Sequence, residues 1–376
     1  MLNYNLTYPQ VRESSFVKRS QALDAVRGIA IILVLIWHYL PRDGGEVPGF
    51  ILSSTYLFWS GVDLFFVLSG FLIAGILLQN AGSRNYFSTF YIRRAARILP
   101  LYLLLIGAFI VLIRWGPDLL ELQKLSRRHL PYWSYFTFTQ NFLYAGRQMM
   151  NDPLIDVTWS LAVEEQFYIF LSLFIRNLNK KKSILVIVTI ALIILAPILR
   201  FLAPNFLVAY LLPLHRADSL MLGVLLALIW QWDKGREFMC KHVGFFRWSL
   251  VILFLVVAYL TYRGVWIGDV FGHLGLALFY GNVVVLALIL SGKEGRFNLL
   301  KNRVLEWFGL RSYGIYLLHK PVQLLIPFLV TWFLHDTLSP WIMVAIFLIV
   351  LFVISELSYR IVEKPIMSLG HYFKYE

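Results

Sequence analysis

The first apolar segment of the chain decides the fold: residues 23–40 read LDAVRGIAIILVLIWHYL. A helix needs roughly 20 apolar residues to cross the hydrocarbon core of a bilayer, and this segment has that length and composition. Nine further apolar stretches follow it along the chain. Their apolar residues run continuously and do not alternate every second residue, so they predict transmembrane helices and not the strands of a membrane barrel.

The composition of the whole chain agrees with a membrane protein. Of its 376 residues, 59% are hydrophobic and only 15% are charged, whereas soluble proteins are nearer half apolar and a quarter charged. We therefore predict an all-α polytopic bundle of about ten transmembrane helices, in one domain over 1–376 with its core at 20–365 and no soluble domain. The predicted spans are 25–41, 57–79, 98–115, 157–175, 184–203, 208–230, 248–263, 270–291, 312–333 and 338–358.

The basic residues predict the orientation of this bundle. The net charge is +13, and with the N-terminus inside, most loop Lys and Arg fall on the cytoplasmic side, as membrane topology favours. We therefore expect a multi-pass protein of the cell membrane with both termini cytoplasmic, and no nucleic-acid partner. The single cysteine, Cys240, excludes an intrachain disulfide, and the polar start lacks the cleavage site of a signal peptide.

The aromatic segment 131–150 has two topological interpretations. It begins PYWSYFTFTQNFLY, and counting it as a span would place the lysines of 180–182 outside, against the charge rule. We expect an interfacial or re-entrant segment instead. Its rings at Tyr132, Trp133, Tyr135 and Tyr144 either stack on a sugar or form a plain interface belt.

Ionisable residues inside predicted spans are candidate functional groups, because they are costly in hydrocarbon. Arg27 and His38 lie eleven residues apart in the first span, so they face the same way, about 16 Å apart along the axis. Asp63 in the second span and Glu164 in the fourth are expected at the depth of His38. A histidine with nearby carboxylates suits general-base catalysis, although interfacial anchoring is the alternative for Arg27 and His38.

The sequence contains three further polar groups near or within spans. Arg93, Arg94 and Arg97 form a cluster that suits phosphate binding or contact with lipid headgroups. The sixth span contains His215, Arg216 and Asp218, and the ninth contains His319 and Lys320. Each set either forms structural pairs or lines a cavity. Ser69 and Gly70 suit close helix packing. We expect no metal site and no bound cofactor, because zinc-ligand spacing, a Walker loop and G-x-G-x-x-G are absent from the sequence.

Taken together, these motifs resemble the integral-membrane acyltransferase-3 family, which includes O-antigen, nodulation-factor and macrolide O-acyltransferases. The Arg-x10-His motif of that family matches Arg27 and His38, and its R-x-x-R element matches Arg94 and Arg97. The other matching elements are Phe65, Phe66, Ser69, Gly70 and Phe71; Trp159, Ser160, Leu161 and Glu164; and Tyr313, Leu317 or Leu318, His319 and Pro321. The resemblance covers roughly residues 20–365.

The resemblance implies an O-acyltransferase that moves an acyl group, often acetyl, from acyl-CoA to a hydroxyl of a carbohydrate or glycolipid. Acyl-CoA is then a donor substrate, and membrane lipids and a second copy of the chain are the other expected partners. We assign His38 as general base, with Glu164, Asp63 and Arg27 in the catalytic group. We assign Arg93, Arg94, Arg97 and Ser69 to the donor, and Trp159, Arg216, Asp218 and His319 to the acceptor. The alternative is a proton-coupled secondary transporter with a relay of His38, Asp63 and Glu164.

Overall fold

The structure, a computed structural model, describes residues 20–41, 47–115, 129–262, 268–291, 299–334 and 338–376. These residues form helices joined by short turns, and no strand occurs among them. The helices are α1 (Gln21–Tyr39), α2 (Gly49–Ser54), α3 (Gly61–Gln79), α4 (Tyr86–Trp115), α5 (Trp133–Phe136), α6 (Gln140–Arg147), α7 (Thr158–Leu178), α8 (Lys182–Leu202), α9 (Phe206–Leu211), α10 (Ala217–Gln231), α11 (Asp233–Lys241), α12 (Val243–Tyr262), α13 (His273–Ser291), α14 (Arg303–Leu334), α15 (Pro340–Ser358) and α16 (Lys364–Gly370). The predicted all-α class is confirmed.

Within the described ranges, eight helical segments are long and apolar enough to cross a membrane, and a ninth results if the bent pair α11 and α12 counts as one span. The two helices of that pair meet at 72°. This confirms a polytopic helical bundle. The predicted span that is not among these helices is the fourth, 157–175, which corresponds to α7. This helix has 21 residues but contains the polar run Glu164, Glu165 and Gln166.

Helix α7 nevertheless passes through the bundle beside α3. Phe66 contacts Trp159 at a ring-centroid distance of 6.1 Å, Ser69 bonds Glu164 95 residues further along, and Arg176 donates to the carbonyl of Ala81, also 95 residues away. A nearly constant offset means that the two helices run side by side in the same direction. Glu164 is therefore held at the depth of Ser69, in the middle of α3.

Helices α1 and α14 are parallel and in constant register. Gln21 bonds Glu306 and the carbonyl of His38 accepts from Gln323, both at a sequence separation of 285. Between these contacts the backbones touch, since a Cβ added at Gly309 would lie 1.8 Å from the carbonyl oxygen of Asp24. Parallel helices place their N-terminal ends on one side of the bundle, which the alternating arrangement of ten spans requires of its first and ninth members.

Helices α3 and α10 also cross at backbone contact. A Cβ added at Gly70 would lie 2.0 Å from the Leu220 carbonyl oxygen, and one added at Gly223 would lie 2.2 Å from the Val67 carbonyl oxygen. This is the small-residue packing expected between membrane helices. The glycine of the predicted Ser69–Gly70 pair is therefore a packing residue.

The aromatic segment 131–150 folds as two short helices, α5 and α6. With four and eight residues, neither is long enough to cross a bilayer, in line with the prediction of a non-spanning segment. Tyr135 and Tyr144 are buried, and their hydroxyls donate to Asp152 Oδ2 over 2.5 and 3.1 Å. The expectation that these two rings stack on a sugar is wrong, because the fold uses them to satisfy a buried carboxylate; Trp133 remains exposed.

Cysteine labelling tests the sidedness of α7. In a Cys240→Ser background, Arg147→Cys and Lys181→Cys replace exposed side chains that flank this helix. We expect an impermeant maleimide to label position 147 in intact cells and position 181 only after permeabilisation, because the polar helix α7 crosses between them. Labelling of both positions from one face would contradict a transmembrane α7. Position 124, in the predicted external region 116–156, lies outside the described residues.

Candidate active site

A cavity with about 790 Å3 of empty space lies between α1, α3, α4, α7 and α14. All five helices contribute polar side chains to its wall, which are Arg27, Ser69, Arg94, Arg97, Ser160, Glu164, Ser312, Tyr313 and Tyr316. Phe65, Phe66, Leu72 and Leu161 are among its apolar lining residues. A pocket with a mainly apolar wall and a few convergent polar groups is the usual form of a small-molecule site.

Three arginines, Arg27, Arg94 and Arg97, form what we call the arginine end of the cavity. Arg27 pairs with Asp24 over 3.1 Å, and Arg94 lies 3.7 Å from Glu164. Within the described ranges, Arg97 has neither a hydrogen bond nor an ion pair, although it lines the cavity. The carboxylates of Asp24 and Glu363 interact with Arg97 electrostatically without reaching ion-pair distance. Three guanidinium groups at one end of a cavity suit an anion.

Glu164 lies in the middle of the cavity wall and is firmly held. Ser69 Oγ donates to its Oε1 over 3.0 Å, and the Tyr168 hydroxyl donates to its Oε2. Arg94 in turn donates to the Tyr168 hydroxyl and stacks 4.2 Å above the Tyr168 ring. Glu164 is therefore part of a network with Arg94, and Glu165 lies 4.0 Å from the same guanidinium.

The opposite end of the cavity leads towards two histidines, His38 and His319, which we call the histidine end. The lining residue Tyr316 bonds Ser160 over 2.7 Å and lies 5.6 Å from the His319 ring centroid. The rings of His38 and His319 are 4.9 Å apart. Since His319 follows Tyr316 by three residues, the histidine end lies roughly 5 Å, nearly one helical turn, beyond the cavity wall.

Asp63 does not share a site with His38 or Glu164, so the expected three-residue cluster is wrong. Asp63 is fully buried and pairs with Arg216 over 2.7 Å, with His273 3.4 Å away. Ser219 donates to the same oxygen over 3.1 Å. The expected common depth is also wrong for Glu164, which lies level with Ser69, roughly 9 Å from Asp63 along α3. The two residues of α3 also face different helices, because Asp63 faces α10 and α13 whereas Ser69 faces α7.

Arg216, Asp218 and Trp159, which we assigned to the acceptor, do not line this cavity and lie behind its wall. Arg216 is fully buried with its guanidinium 5.5 Å from the Phe66 ring centroid, and Trp159 packs against Phe66 on the same side. Asp218 pairs with Arg200 over 2.5 Å. These groups support the wall, because hydrocarbon-facing or core charges are stable only when they are paired.

Arg93 does not join the arginine end, and Arg27 takes its place. The Arg93 Nε donates to the Phe373 carbonyl over 2.7 Å, and its guanidinium lies 5.1 Å from the Tyr375 ring centroid. On α4, residues 94 and 97 are three apart and share a face, whereas Arg93 is turned towards the C-terminal segment. Of the three neighbouring arginines only Arg94 and Arg97 line the cavity, and Arg27 lines it with them.

The comparisons with known proteins identify the family of this chain. The acyltransferase domain family matches residues 20–360. The chain belongs to this acyltransferase family. It is 30% identical to a peptidoglycan O-acetyltransferase of Listeria monocytogenes, over 94% of this chain and 57% of that protein. It is 29% identical to a putative peptidoglycan O-acetyltransferase of Bacillus subtilis, over 93% of this chain and 55% of that protein.

A putative O-acetyltransferase of Staphylococcus aureus is 27% identical over 93% of this chain and 57% of that protein. The chain thus spans a little over half the length of the curated relatives it matches. No solved structure matches the chain. Membership of an acyltransferase family favours group transfer over the alternative of proton-coupled transport.

Sequence reasoning missed two residues, one in the cavity wall and one in the network behind it. Tyr316 lines the cavity and connects it to the histidine end, and its signal in the sequence is the spacing of three between Tyr313, Tyr316 and His319. His273 completes the Asp63–Arg216 network, but a lone histidine at the start of an apolar helix gives no comparable signal.

The Asp63–Arg216 pair allows a test of its structural role in this acyltransferase. Asp63→Leu should lower the free energy of unfolding by about 3–5 kcal/mol, because it leaves Arg216 as a buried charge without its partner. The double variant Asp63→Leu/Arg216→Met should recover part of this loss. Thermal unfolding in detergent measures both.

The matched control for this test is Asp233→Leu, which removes an exposed ion pair with Arg236 and should cost less than about 1 kcal/mol. If Asp63→Leu unfolds at the wild-type temperature but has lost activity, the structural role is contradicted and the original catalytic assignment of Asp63 is restored.

Proposed function

We propose that this chain is a membrane-embedded O-acetyltransferase that moves the acetyl group of acetyl-CoA to a hydroxyl of a cell-envelope carbohydrate. The observation that carries the proposal is a cavity inside one helix bundle that has three arginines at one end and Tyr316, which lies beside the paired rings of His319 and His38, in its wall. The family match and the peptidoglycan O-acetyltransferase relatives support the same reaction. Peptidoglycan or a related glycan is accordingly the acceptor class we propose.

The arginine end suits the phosphates of CoA. Arg97 lines the cavity and, among the described residues, makes no hydrogen bond or ion pair, and Arg27 on α1 is close enough to repel it. Charge-assisted contacts to phosphate are among the stronger hydrogen bonds in proteins. Arg94 contributes less to the donor in this proposal, because Glu164 and Tyr168 already hold its guanidinium.

The thioester arm of the donor would then extend along the apolar wall formed by residues such as Phe65 and Leu72. Ser69 lies on this path with its hydroxyl donated to Glu164, which makes it a wall residue of the donor channel. Arg27 and His38 are eleven residues apart, about 16 Å along α1, so an extended arm held by Arg27 points its thioester towards His38.

The transfer step takes place at the histidine end. The acceptor oxygen attacks the thioester carbon, so that the new C–O bond forms and the C–S bond breaks. His38 takes the proton of the hydroxyl and returns it to the departing thiolate sulfur. An alcohol is a weak nucleophile at neutral pH, and a positioned base is worth about 10²–10⁴-fold in rate.

The reaction itself is tested with purified protein, radiolabelled acetyl-CoA and peptidoglycan fragments. We expect label in the glycan, released again by mild alkali because the bond is an ester. The transporter alternative instead predicts that proteoliposomes without acceptor take up protons together with a transported solute. Absence of labelled glycan with every carbohydrate acceptor offered would overturn the proposal.

His38→Ala should lower the rate of acetyl transfer by at least about 10²-fold, because the general base is lost. Membrane insertion and thermal stability should be unchanged. The control is His371→Ala, which removes an exposed histidine of the C-terminal segment and should have the wild-type rate. If His38→Ala keeps more than about a tenth of the wild-type rate, the assignment of the base fails.

Arg97→Ala should raise KM for acetyl-CoA by about tenfold or more while KM for the acceptor changes little, because a phosphate contact is lost. The difference in KM between wild type and Arg97→Ala should become smaller at high salt, because salt screens the contact between the guanidinium and the phosphate where water reaches it. Arg93→Ala is the matched control, since Arg93 is turned towards Phe373 and Tyr375, and its KM values should be those of the wild type. Equal increases for both substrates in Arg97→Ala would indicate a folding effect and contradict donor binding.

A further inference from the structure

His319 is a fully buried histidine in contact with His38. Its exposed fraction is 0%, the two ring centroids are 4.9 Å apart and the ring planes are tilted by 46°. Both residues are fixed through their backbones as well, because Tyr39 donates its hydroxyl to the His319 carbonyl over 2.9 Å and Gln323 donates to the His38 carbonyl over 2.7 Å. His319 does not line the cavity, so the expected direct contact with the acceptor is not its role.

The hydrogen bond of one ring nitrogen determines the state of the other in His319. Nδ1 lies 2.6 Å from the carbonyl oxygen of Tyr316, and a carbonyl oxygen only accepts, so Nδ1 carries the hydrogen. In a neutral imidazole the lone pair is then on Nε2. This Nε2 is buried and has no hydrogen-bond partner among the described residues.

A buried acceptor without a donor costs roughly 1–3 kcal/mol, and such atoms are rare in folded proteins unless they serve a purpose. The ring in contact with His319 is that of His38. The two carboxylates that we expected to orient His38 are occupied elsewhere, Asp63 by Arg216 and Glu164 by Ser69 and Tyr168. The histidine end therefore has a buried acceptor where a carboxylate was expected.

We propose that His319 is the positioning residue for His38, in the role that a carboxylate has in a Ser-His-Asp triad. This inference rests on the proposed function. When His38 takes the proton of the acceptor hydroxyl on one ring nitrogen, its other ring N–H turns to His319 Nε2 and donates a hydrogen bond. The proton then passes from His38 to the thiolate sulfur, and His319 keeps its own Nδ1 hydrogen throughout.

The charged groups around the pair favour this division of roles. Two imidazoles in contact carry one positive charge between them much more easily than two, because the second charge is repelled by the first. Lys320 follows His319 on α14 and interacts electrostatically with it, so a second positive charge on His319 is disfavoured. Asp156, just before α7, interacts with Lys320, and Tyr39 and Tyr316 contribute neutral hydroxyls from α1 and α14. His38 is thus the ring that becomes charged.

Two substitutions separate the two nitrogens of His319. His319→Gln extends its side chain far enough to keep an acceptor oxygen near the place of Nε2, but it loses the bond to Tyr316. His319→Asn keeps a donor near the place of Nδ1 for Tyr316, but it has no acceptor for His38. Both are compared with the wild type for rate, for KM of acetyl-CoA, for thermal stability and for the pH dependence of transfer to glycan.

We expect His319→Asn to lose about tenfold or more in kcat with KM for acetyl-CoA unchanged, whereas His319→Gln stays within about threefold of the wild type. In His319→Asn the acid limb of the pH–rate profile should move to lower pH by about half a unit or more, because protonated His38 loses its hydrogen bond. In His319→Gln this limb should stay in place.

A wild-type rate and profile in His319→Asn would overturn the inference, as would an equal loss in both variants or a loss with an unmoved acid limb. If His319→Asn does not fold, His319→Gln decides: a rate within about threefold supports the role, and a loss of about tenfold or more overturns it. The proposed function is judged separately by wild-type transfer and its loss in His38→Ala. A wild-type protein that transfers no acetyl group overturns both.

Discussion

A charge inside a membrane bundle must find its counter-charge within the protein, and the rest of this structure depends on that constraint. Water is absent from the hydrocarbon core, so an unpaired ion there is strongly disfavoured. The bundle meets the constraint by pairing residues from different helices: Arg216 of the turn before α10 with Asp63 of α3, and Arg94 of α4 with Glu164 of α7. Each pair therefore also fixes which helices are neighbours.

The pairs differ in where they lie relative to the cavity, and this difference separates the supporting network from the groups to which we assign a function. Asp63 is surrounded by Arg216, His273 and Ser219, away from the cavity. Glu164 is also held by several partners, but it lines the cavity together with Arg97, which has no ion pair within the described residues. The Asp63 network supports the wall, whereas the groups that line the cavity are at the place where we propose that ligands bind.

The register between α1 and α14 determines which residues of the two helices lie beside each other at the arginine end and at the histidine end. The constant separation of 285 residues brings His38 beside the turn of α14 that carries His319 and Gln323. The same register places Asp24, the partner of Arg27, against Gly309. A shift of one turn along either helix would separate the histidines, so the backbone contact at Gly309 also preserves the contact on which our proposal for His319 rests.

The sequence by itself determined the class of fold, the approximate spans and the two residues of the Arg-x10-His motif, because hydrophobic length and the helical repeat are local properties. It also identified Glu164, Arg94 and Arg97, which line the cavity. It also predicted that Asp63 would lie beside His38 and Arg93 beside Arg97. Only the tertiary structure shows that Asp63 pairs with Arg216 and that Arg93 contacts the C-terminal segment. Depth along a span can be counted from residues, but the face that meets each neighbour depends on how the helices pack together. For the same reason the histidine whose ring contacts that of His38 comes from a position nearly 300 residues away.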